Sequence, residues 1–359
     1  MNAAPVLIAA GGTGGHVFPA LAVAEVLDAA AVPVVWLGTH AGLEARAVPA
    51  AGIDMEWLTV GGLRGKGWRT RLAAPLVLAR ACAQAFAVLR RRRPRALLGM
   101  GGFVSGPGGL MARLVGCPLV VHEQNAVAGL TNRVLARFAV RVLEAVPGTF
   151  PARLGARHTG NPVRASIAAL APPETRFAAR HGAPRLLVLG GSQGARALNE
   201  HLPRALAQLP ADCRPEVRHQ CGVRHLEAAR AAYAEAGVSA EVESFIDDMA
   251  DAYGWADLVV SRAGAMSVAE LAAAGVAALL IPFPHAVDDH QTRNAQWLVE
   301  AGAAVLVQER ELDEARLVRE LTALLGDRAA LAERAHRARA LARPDAAEAV
   351  ARAVLEVAR

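Results

Sequence analysis

Aromatic residues are scarce: Phe, Trp and Tyr make up 4% of the 359 residues. Single-stranded nucleic acid is usually gripped on aromatic stacking platforms, so this scarcity argues against a nucleic-acid partner. Hydrophobic residues still reach 53%, and the cores must be built mainly of Ala, Val and Leu. The four cysteines, Cys82, Cys117, Cys213 and Cys221, form no CxxC pair and suggest neither a disulfide framework nor a zinc site. Reduced thiols of a cytosolic protein are the economical reading. No run of 18 uninterrupted apolar residues exists, so no membrane span is expected; the nearest stretch, Leu72 to Leu89, is broken by Pro75, Arg80 and Gln84. The apolar run Pro5 to Ala10 lacks a basic lead-in and passes straight into glycines, unlike a signal peptide. No Asp-x-Asp motif is available to hold a divalent ion against a nucleotide diphosphate. No metal or other cofactor is therefore expected to be strictly required.

Acidic residues are missing from one long stretch. None occurs between Glu56 and Glu123, whereas that segment carries Arg64, Lys66, Arg69, Arg71, Arg80, Arg90 to Arg93, Arg95 and Arg113. Residues 1–160 hold 17 basic against 7 acidic side chains, and residues 161–359 hold 22 against 26. The net charge of +6 is thus concentrated in the first half. Such a field favours a polyanionic partner: a phosphorylated substrate, an anionic lipid or a nucleic acid.

Apolar runs of strand length recur, each closed by glycine or a polar turn. They include Val6–Ala10, Val34–Leu37, Ala96–Leu98 and Leu119–His122, then Arg185–Leu189, Leu258–Val260 and Ala278–Ile281. Helical segments such as Ala20–Ala30 and Val268–Ala274 lie between them. This alternation predicts an α/β protein with two doubly wound, Rossmann-like parallel-sheet domains. Residues 1–160 form the first and 161–345 the second, joined at the turn-rich segment around Thr159-Gly160-Asn161-Pro162. The helical stretch 346–359 could pack on either domain. Ligands in such folds bind at the carboxyl ends of the strands, here in a cleft expected between the two domains.

Three glycine loops follow strands. The first is Gly11-Gly12-Thr13-Gly14-Gly15-His16, the second runs from Gly99 to Gly109, and the third is Gly190-Gly191-Ser192-Gln193-Gly194. The first is not the GxGxxG dinucleotide fingerprint, because Val17 stands where the last glycine would be, and no GK[ST] marks a Walker loop. Glycine allows close backbone approach, and the helix that follows offers free N–H groups to an anion. Three such loops suggest more than one phosphate.

The loops, with other segments in the same order, resemble the MurG family of peptidoglycan glycosyltransferases. The matching stretches are GGTGGHVFPALAVA from Gly11, GLRGKG from Gly62, GMGGFVSGPGG from Gly99, HEQNAVAGLTNRVLA from His122, GNPVR from Gly160, GGSQGAR from Gly190, FIDDM from Phe245, SRAGAMSVAEL from Ser261 and DDHQTRNA from Asp288. Met266, Ser267, Ala277 and Ala128 depart from the residues more common in the family, which bears on donor affinity rather than donor identity. The resemblance implies a B-type glycosyltransferase that inverts configuration. It would transfer N-acetylglucosamine from UDP-N-acetylglucosamine to the 4-hydroxyl of undecaprenyl-diphosphate-linked N-acetylmuramyl-pentapeptide, converting lipid I to lipid II. By resemblance, Arg164, Ser192, Ile246, Ala265, Met266, Ser267, Val268, Ala269, Glu270 and Gln291 line the donor site in the second domain. Thr13, Gly14, Gly15 and Asn125 would face the donor from the first. Gly101, Gly102, Ser105 and Gly106 are expected to meet the acceptor. His16 is the favoured general base, since imidazole titrates near neutrality; Glu123 is the runner-up and could instead order the acceptor loop. Alone, Glu270 would read as an ordinary exposed helix glutamate.

Leu72, Leu76, Ala79, Ala83 and Phe86 recur at helical spacing, flanked by Arg69, Arg71 and Arg80. A basic amphipathic helix of this kind can lie on an anionic membrane surface. Leu72 and Leu76 are the expected lipid-touching tip, while Phe86 and Leu89 are expected to face the core, and Arg90 to Arg93 to face headgroups or water. The implied location is peripheral, on the cytoplasmic face of the bacterial inner membrane. Rival readings are a UDP-sugar epimerase on the same fold and a basic Rossmann-type binding module.

Overall fold

The computed structural model describes residues 4–61, 68–191 and 194–358, with backbone alone for residues 68–73 and 287. The chain forms two compact units, residues 1–164 with 343–359, and residues 165–342. The first holds a seven-stranded sheet of β1 (Val6–Ala9), β2 (Val34–Gly38), β3 (Asp54–Trp57), β4 (Ala96–Gly99), β5 (Leu119–Glu123), β6 (Arg141–Glu144) and β7 (Arg157–His158), in the order β3-β2-β1-β4-β5-β6-β7. The second holds six strands, β8 (Arg185–Leu189), β9 (Glu216–Gln220), β10 (Glu241–Glu243), β11 (Leu258–Ser261), β12 (Ala277–Leu280) and β13 (Ala304–Leu306), in the order β10-β9-β8-β11-β12-β13. Every pairing is parallel.

Both sheets reverse strand order once, between β1 and β4 and between β8 and β11. These are the doubly wound switch points, where a crevice opens at the carboxyl edge. β1, β4, β8 and β11 are buried along their full length, apart from the first residue of β8. That is why they read as unbroken apolar runs. The outer strands are mixed: Asp54-Met55-Glu56-Trp57 and Glu241-Val242-Glu243 lie at sheet edges, where half the side chains meet water.

The last helix, Ala346–Val357, packs on the first unit. Val350, Ala351 and Val354 join Val6, Ile8, Val23 and Leu27 in one apolar cluster. The helix Trp68–Arg92 presents Leu76 and Arg80 to solvent, with Leu76 76% exposed. It buries Leu89 as expected, but Phe86 is 39% exposed rather than inside. The arginine run at its end is not simply solvated. Arg91 Nη2 and Arg92 Nε each lie 2.6 Å from a carboxylate oxygen of Glu56 on β3. These pairs hold Glu56 below its ordinary pKa despite the opposing effect of burial. The side chains of Arg69, Arg71 and Leu72 lie outside the described residues.

Candidate active site

At the first switch point two glycine loops meet. Gly102 has φ +80, and a Cβ there would stand 2.2 Å from the carbonyl oxygen of Gly11. Only glycine lets the loop after β4 lie so close to the loop after β1. Ser105, expected at the acceptor, is fully buried and serves this junction instead. Its hydroxyl lies 2.6 Å from Ala9 O and 2.7 Å from Gly101 O, and accepts from Gly101 N at 3.0 Å. With its one proton shared between two carbonyls and a lone pair taken by a backbone N–H, the buried hydroxyl bolts the two loops together and has no face for a ligand.

Glu44, at the start of the helix Glu44–Ala50, closes the same junction from beneath. It is fully buried. Its carboxylate accepts from Gly12 N at 2.9 Å, Thr39 N at 3.0 Å and the Thr39 hydroxyl at 2.8 Å. A Cβ at Gly11, Gly38 or Gly42 would fall 2.0–2.8 Å from Glu44 side-chain atoms, so three glycines make room for one carboxylate.

His16 lies in the first turn of the helix Gly14–Ala29, beside Thr13, Gly14 and Gly15. Its ring packs on Gly101, where an added Cβ would come within 2.7 Å of it. Its Nδ1 is 2.9 Å from Gln124 Oε1. Gln124 Nε2 is 3.0 Å from His122 Nδ1, and His122 Nε2 is 3.0 Å from Gly160 O. Complete burial lowers the pKa of His122 to about 4. Gly106 begins the helix after the second glycine loop and has only an ordinary contact with Thr131.

Glu123 does not have the surroundings of a base. It is buried, and its two oxygens accept four N–H groups: Asn125 N and Nδ2, both at 3.1 Å, Gly129 N at 3.0 Å, and Asn132 Nδ2 at 2.9 Å. All its lone-pair directions are occupied, so it orders the loop 124–129 rather than receiving a substrate proton. Asn125 is part of that loop, and its carbonyl also accepts from the Thr149 hydroxyl at 3.2 Å.

The second switch point has a different lining. Gly191 N donates to Gln220 Oε1 at 3.0 Å, and Gln220 Nε2 donates to Ser244 O at 3.0 Å and Gly191 O at 3.2 Å. A neutral amide therefore braces the loop after β8 and links it to the loop after β10, where Ile246 sits half-buried. The helix Ala265–Ala274 starts after β11 with Gly264 as its extended N-cap and no side-chain cap. Ala265, Met266 and Ser267 form the first turn, where backbone N–H groups point toward the helix start. Val268 already donates to Gly264 O at 3.0 Å, and Ala269 continues the helix. Gln291 Oε1 accepts from Ala263 N at 3.2 Å and Phe283 N at 2.9 Å, tying the loops after β11 and β12 together. Among the described residues its Nε2 makes no hydrogen bond, leaving an amide N–H for a ligand.

Glu270 is nearly buried, not the exposed helix glutamate its sequence suggests. It accepts from the Tyr253 hydroxyl at 3.2 Å. The far end of its helix is capped by Arg176, which donates to Ala274 O at 2.7 Å and to Tyr253 O at 3.1 Å. Burial pulls the Arg176 pKa down to about 10. Gly275, with φ +63, ends the helix where a Cβ would meet Pro173 at 2.8 Å. Arg164 is exposed and is the last residue of the first unit before the chain enters the second. Ser192 lies outside the described residues. Glu44, Gln124, Gln220 and Tyr253 escaped the sequence reading, although Gln124 stands inside the quoted HEQ motif.

Two family models match the chain: the glycosyltransferase family 28 N-terminal domain over residues 6–144 and the family 28 C-terminal domain over residues 185–350. A protein of Alkalilimnicola ehrlichii, called UDP-N-acetylglucosamine–N-acetylmuramyl-(pentapeptide) pyrophosphoryl-undecaprenol N-acetylglucosamine transferase, is 59% identical over 99% of both chains. A Nitrosococcus oceani protein of the same name is 58% identical over 98% of both. The crystal structure of Acinetobacter baumannii MurG is 41% identical, with a TM-score of 0.87 over 99% of this chain and 100% of that one. The glycosyltransferase of kitacinnamycin superposes with a TM-score of 0.73 over 99% of both chains at 17% identity, a likeness of fold. The two crevices thus sit in a glycosyltransferase framework of known kind: the chain belongs to glycosyltransferase family 28 and, within it, to the MurG family of N-acetylglucosamine transferases.

Proposed function

We infer that this enzyme transfers N-acetylglucosamine from UDP-N-acetylglucosamine to the 4-hydroxyl of undecaprenyl-diphosphate-linked N-acetylmuramyl-pentapeptide, making lipid II for the peptidoglycan cell wall. The observation that carries the chemical assignment is the start of the helix Ala265–Ala274, led in by an extended glycine, at a switch point braced by a neutral amide. A diphosphate leaving group can be received there by backbone N–H groups and the helix dipole, which act without reorganisation as charge develops. Arg164 supplies a further cation, Ser192 a hydroxyl, Gln291 an amide for a sugar hydroxyl, and Glu270 an acceptor for ribose. Ile246 would contact uracil through its backbone. The first unit is the acceptor side, and the second is the donor side.

In the reaction the acceptor hydroxyl attacks the anomeric carbon from the face opposite the diphosphate. The new C–O bond forms as the bond to the diphosphate breaks, so configuration inverts. His16 takes the hydroxyl proton, and UDP departs with the bonding pair. The acceptor meets the loop that carries Gly101, Gly102 and Gly106. Thr13, Gly14, Gly15 and Asn125 close on the donor from the same side. Turnover is expected without a strict need for a divalent ion; complete loss in chelator, restored by metal, would contradict this.

The lipid acceptor implies work at a membrane surface. No helix among the described residues is long and apolar enough to cross a bilayer. The first unit exposes Leu76, Leu110, Leu114 and Leu130 on three helices that pack in succession, with Arg80 and Arg113 also exposed. We propose peripheral binding to the cytoplasmic face of the inner membrane through this surface, joined by Arg69, Arg71 and Leu72. Binding to anionic vesicles should fall with salt; equal binding to neutral vesicles would contradict it. The function itself is tested with labelled UDP-N-acetylglucosamine and lipid I. Labelled lipid II should form only when lipid I is present, whereas donor conversion without lipid I would favour an epimerase.

A further inference from the structure

The quoted HEQ motif contains two side chains that touch no substrate in the proposal above, His122 and Gln124. Together with His16 they form an unbranched chain of hydrogen bonds whose polarity can be deduced from its ends. The far end is the carbonyl of Gly160, 3.0 Å from His122 Nε2. A carbonyl can only accept, so His122 carries its proton on Nε2. His122 is fully buried and has no acidic side chain on either ring nitrogen, and burial opposes its charging. A neutral ring protonated on Nε2 has a bare lone pair on Nδ1. The group 3.0 Å from that lone pair must donate, which makes it the Gln124 amide N–H.

A second constraint fixes the same amide independently. The nitrogen end of Gln124 also lies 3.2 Å from the carbonyl oxygen of His122. Turning the amide over would set oxygen against that carbonyl and against the Nδ1 lone pair at once. The orientation of a glutamine amide is always inferred from its partners, and here two partners agree. The oxygen of Gln124 therefore faces His16 Nδ1 at 2.9 Å. An amide oxygen cannot donate, so His16 must.

We infer that His122 and Gln124 are positioning residues that hold neutral His16 as its Nδ1–H tautomer and so leave the lone pair on Nε2 for the acceptor hydroxyl. Among the described residues His16 Nε2 takes no hydrogen bond, and Gly101 packs against the other side of the ring around Nδ1 and Cε1. This is a hydrogen-bond relay for orientation only. The proton collected by His16 stays on Nε2 until released to solvent, and no proton passes along the chain. A fixed partner on one imidazole nitrogen determines what the other can do. The part usually played by a carboxylate is played here by a neutral amide, which directs the tautomer without adding a negative charge next to the sugar donor.

The inference rests on His16 as the base, so its test must separate the two ideas. Long-range proton–nitrogen NMR on the full chain with 15N-labelled histidine reports the tautomer directly. His16 is assigned by the signals lost in His16→Ala, at a pH where the ring is neutral. In the unaltered protein His16 should show a protonated Nδ1 and a pyridine-like Nε2; a protonated Nε2 would overturn the inference, whether or not any variant folds. Gln124→Leu should mix the tautomers and lower kcat roughly tenfold to a hundredfold, a share of what a general base contributes, with the donor KM within about twofold. An unchanged tautomer in Gln124→Leu would overturn the positioning role. Full turnover by His16→Ala would instead sink the base assignment while leaving the tautomer measurement intact.

Discussion

The two units place a glycine loop at each switch point, yet they brace those loops with different side chains. In the first unit the crevice is shut by backbone: Gly102 lies against Gly11, Ser105 pins both loops, and the carboxylate of Glu44 takes the N–H of Gly12. In the second, Gly190 and Gly194 also pack on backbone, an added Cβ falling 2.9 Å from Ala195 N and 2.6 Å from Cys221 O, while one at Gly191 would meet nothing within 4 Å among the described residues, as at Gly12 in the first. The brace beneath that loop is the uncharged amide of Gln220. A carboxylate next to the first loop repels a phosphate, whereas an amide does not. The same architecture therefore offers a side chain, His16, in the first unit and a helix start in the second. Glycine richness alone does not make a phosphate site; what braces the glycines decides it.

The largest effect is expected at Gly102, the most tightly packed of these glycines. Gly102→Ala would drive a methyl into the Gly11 backbone at a positive φ, and should leave little folded, active protein. Gly191→Ala, also at positive φ but in open space, should cost only about 1–2 kcal/mol of left-handed strain. Thermal melts of the pair measure the difference; equal losses would contradict the distinction between a packed and an open glycine.

Next in size is the cap that supports the donor helix. Arg176→Ala removes charge-assisted hydrogen bonds from carbonyls of Ala274 and Tyr253. It should destabilise the protein by about 3 kcal/mol, as for buried bonds to charged groups, read from denaturant midpoints. Glu44→Gln sharpens the comparison at the other loop. An amide cannot accept from Gly12 and Thr39 on both its ends, so one donor is left unpaired at a cost of about 1–3 kcal/mol. Donor KM should change little, because Glu44 braces rather than binds.

Smaller and more gradual is the response to acid. Each unit buries one neutral histidine on its sheet, His122 and His219, and burial lowers both pKa values to about 4. The unfolded value is about 6.5, so the unfolded chain binds the extra protons first. Stability conferred by these rings is complete above about pH 6.5 and is lost as pH falls toward 4. Melting temperature should decline across that window, and His219→Leu should flatten the decline; His219 has an unpartnered Nε2 while its Nδ1 meets the Tyr233 hydroxyl at 3.0 Å.

Much of the fold was legible because the central strands are buried on both faces and are apolar apart from Arg185 and Ser261 at their ends. β1, β4, β8 and β11 fall within a residue or so of where their apolar runs predict them. Edge strands such as Glu241–Glu243 were not legible, since three residues with charges at both ends satisfy no strand pattern strongly. The glycine loops and His16 could be found from spacing and family likeness. Glu44 could not, because a glutamate at a helix start is usually solvated; its burial depends on Gly11, Gly38 and Gly42 arriving from elsewhere in the chain. The same holds for Ser105 and Glu123, whose roles depend on partners that only tertiary structure supplies: Ala9 for the serine, and the convergence of Asn125, Gly129 and Asn132 for the glutamate. Gln124 was visible as a letter of the motif, but its orientation follows from two carbonyls, those of His122 and Gly160.

The division of labour between the units is tested most directly by His16→Ala, with UDP binding measured by calorimetry and turnover measured on lipid I. The account predicts UDP affinity within a few-fold of the unaltered enzyme and kcat lowered about a hundredfold or more. Turnover close to normal, or UDP affinity lost in step with turnover, would contradict it.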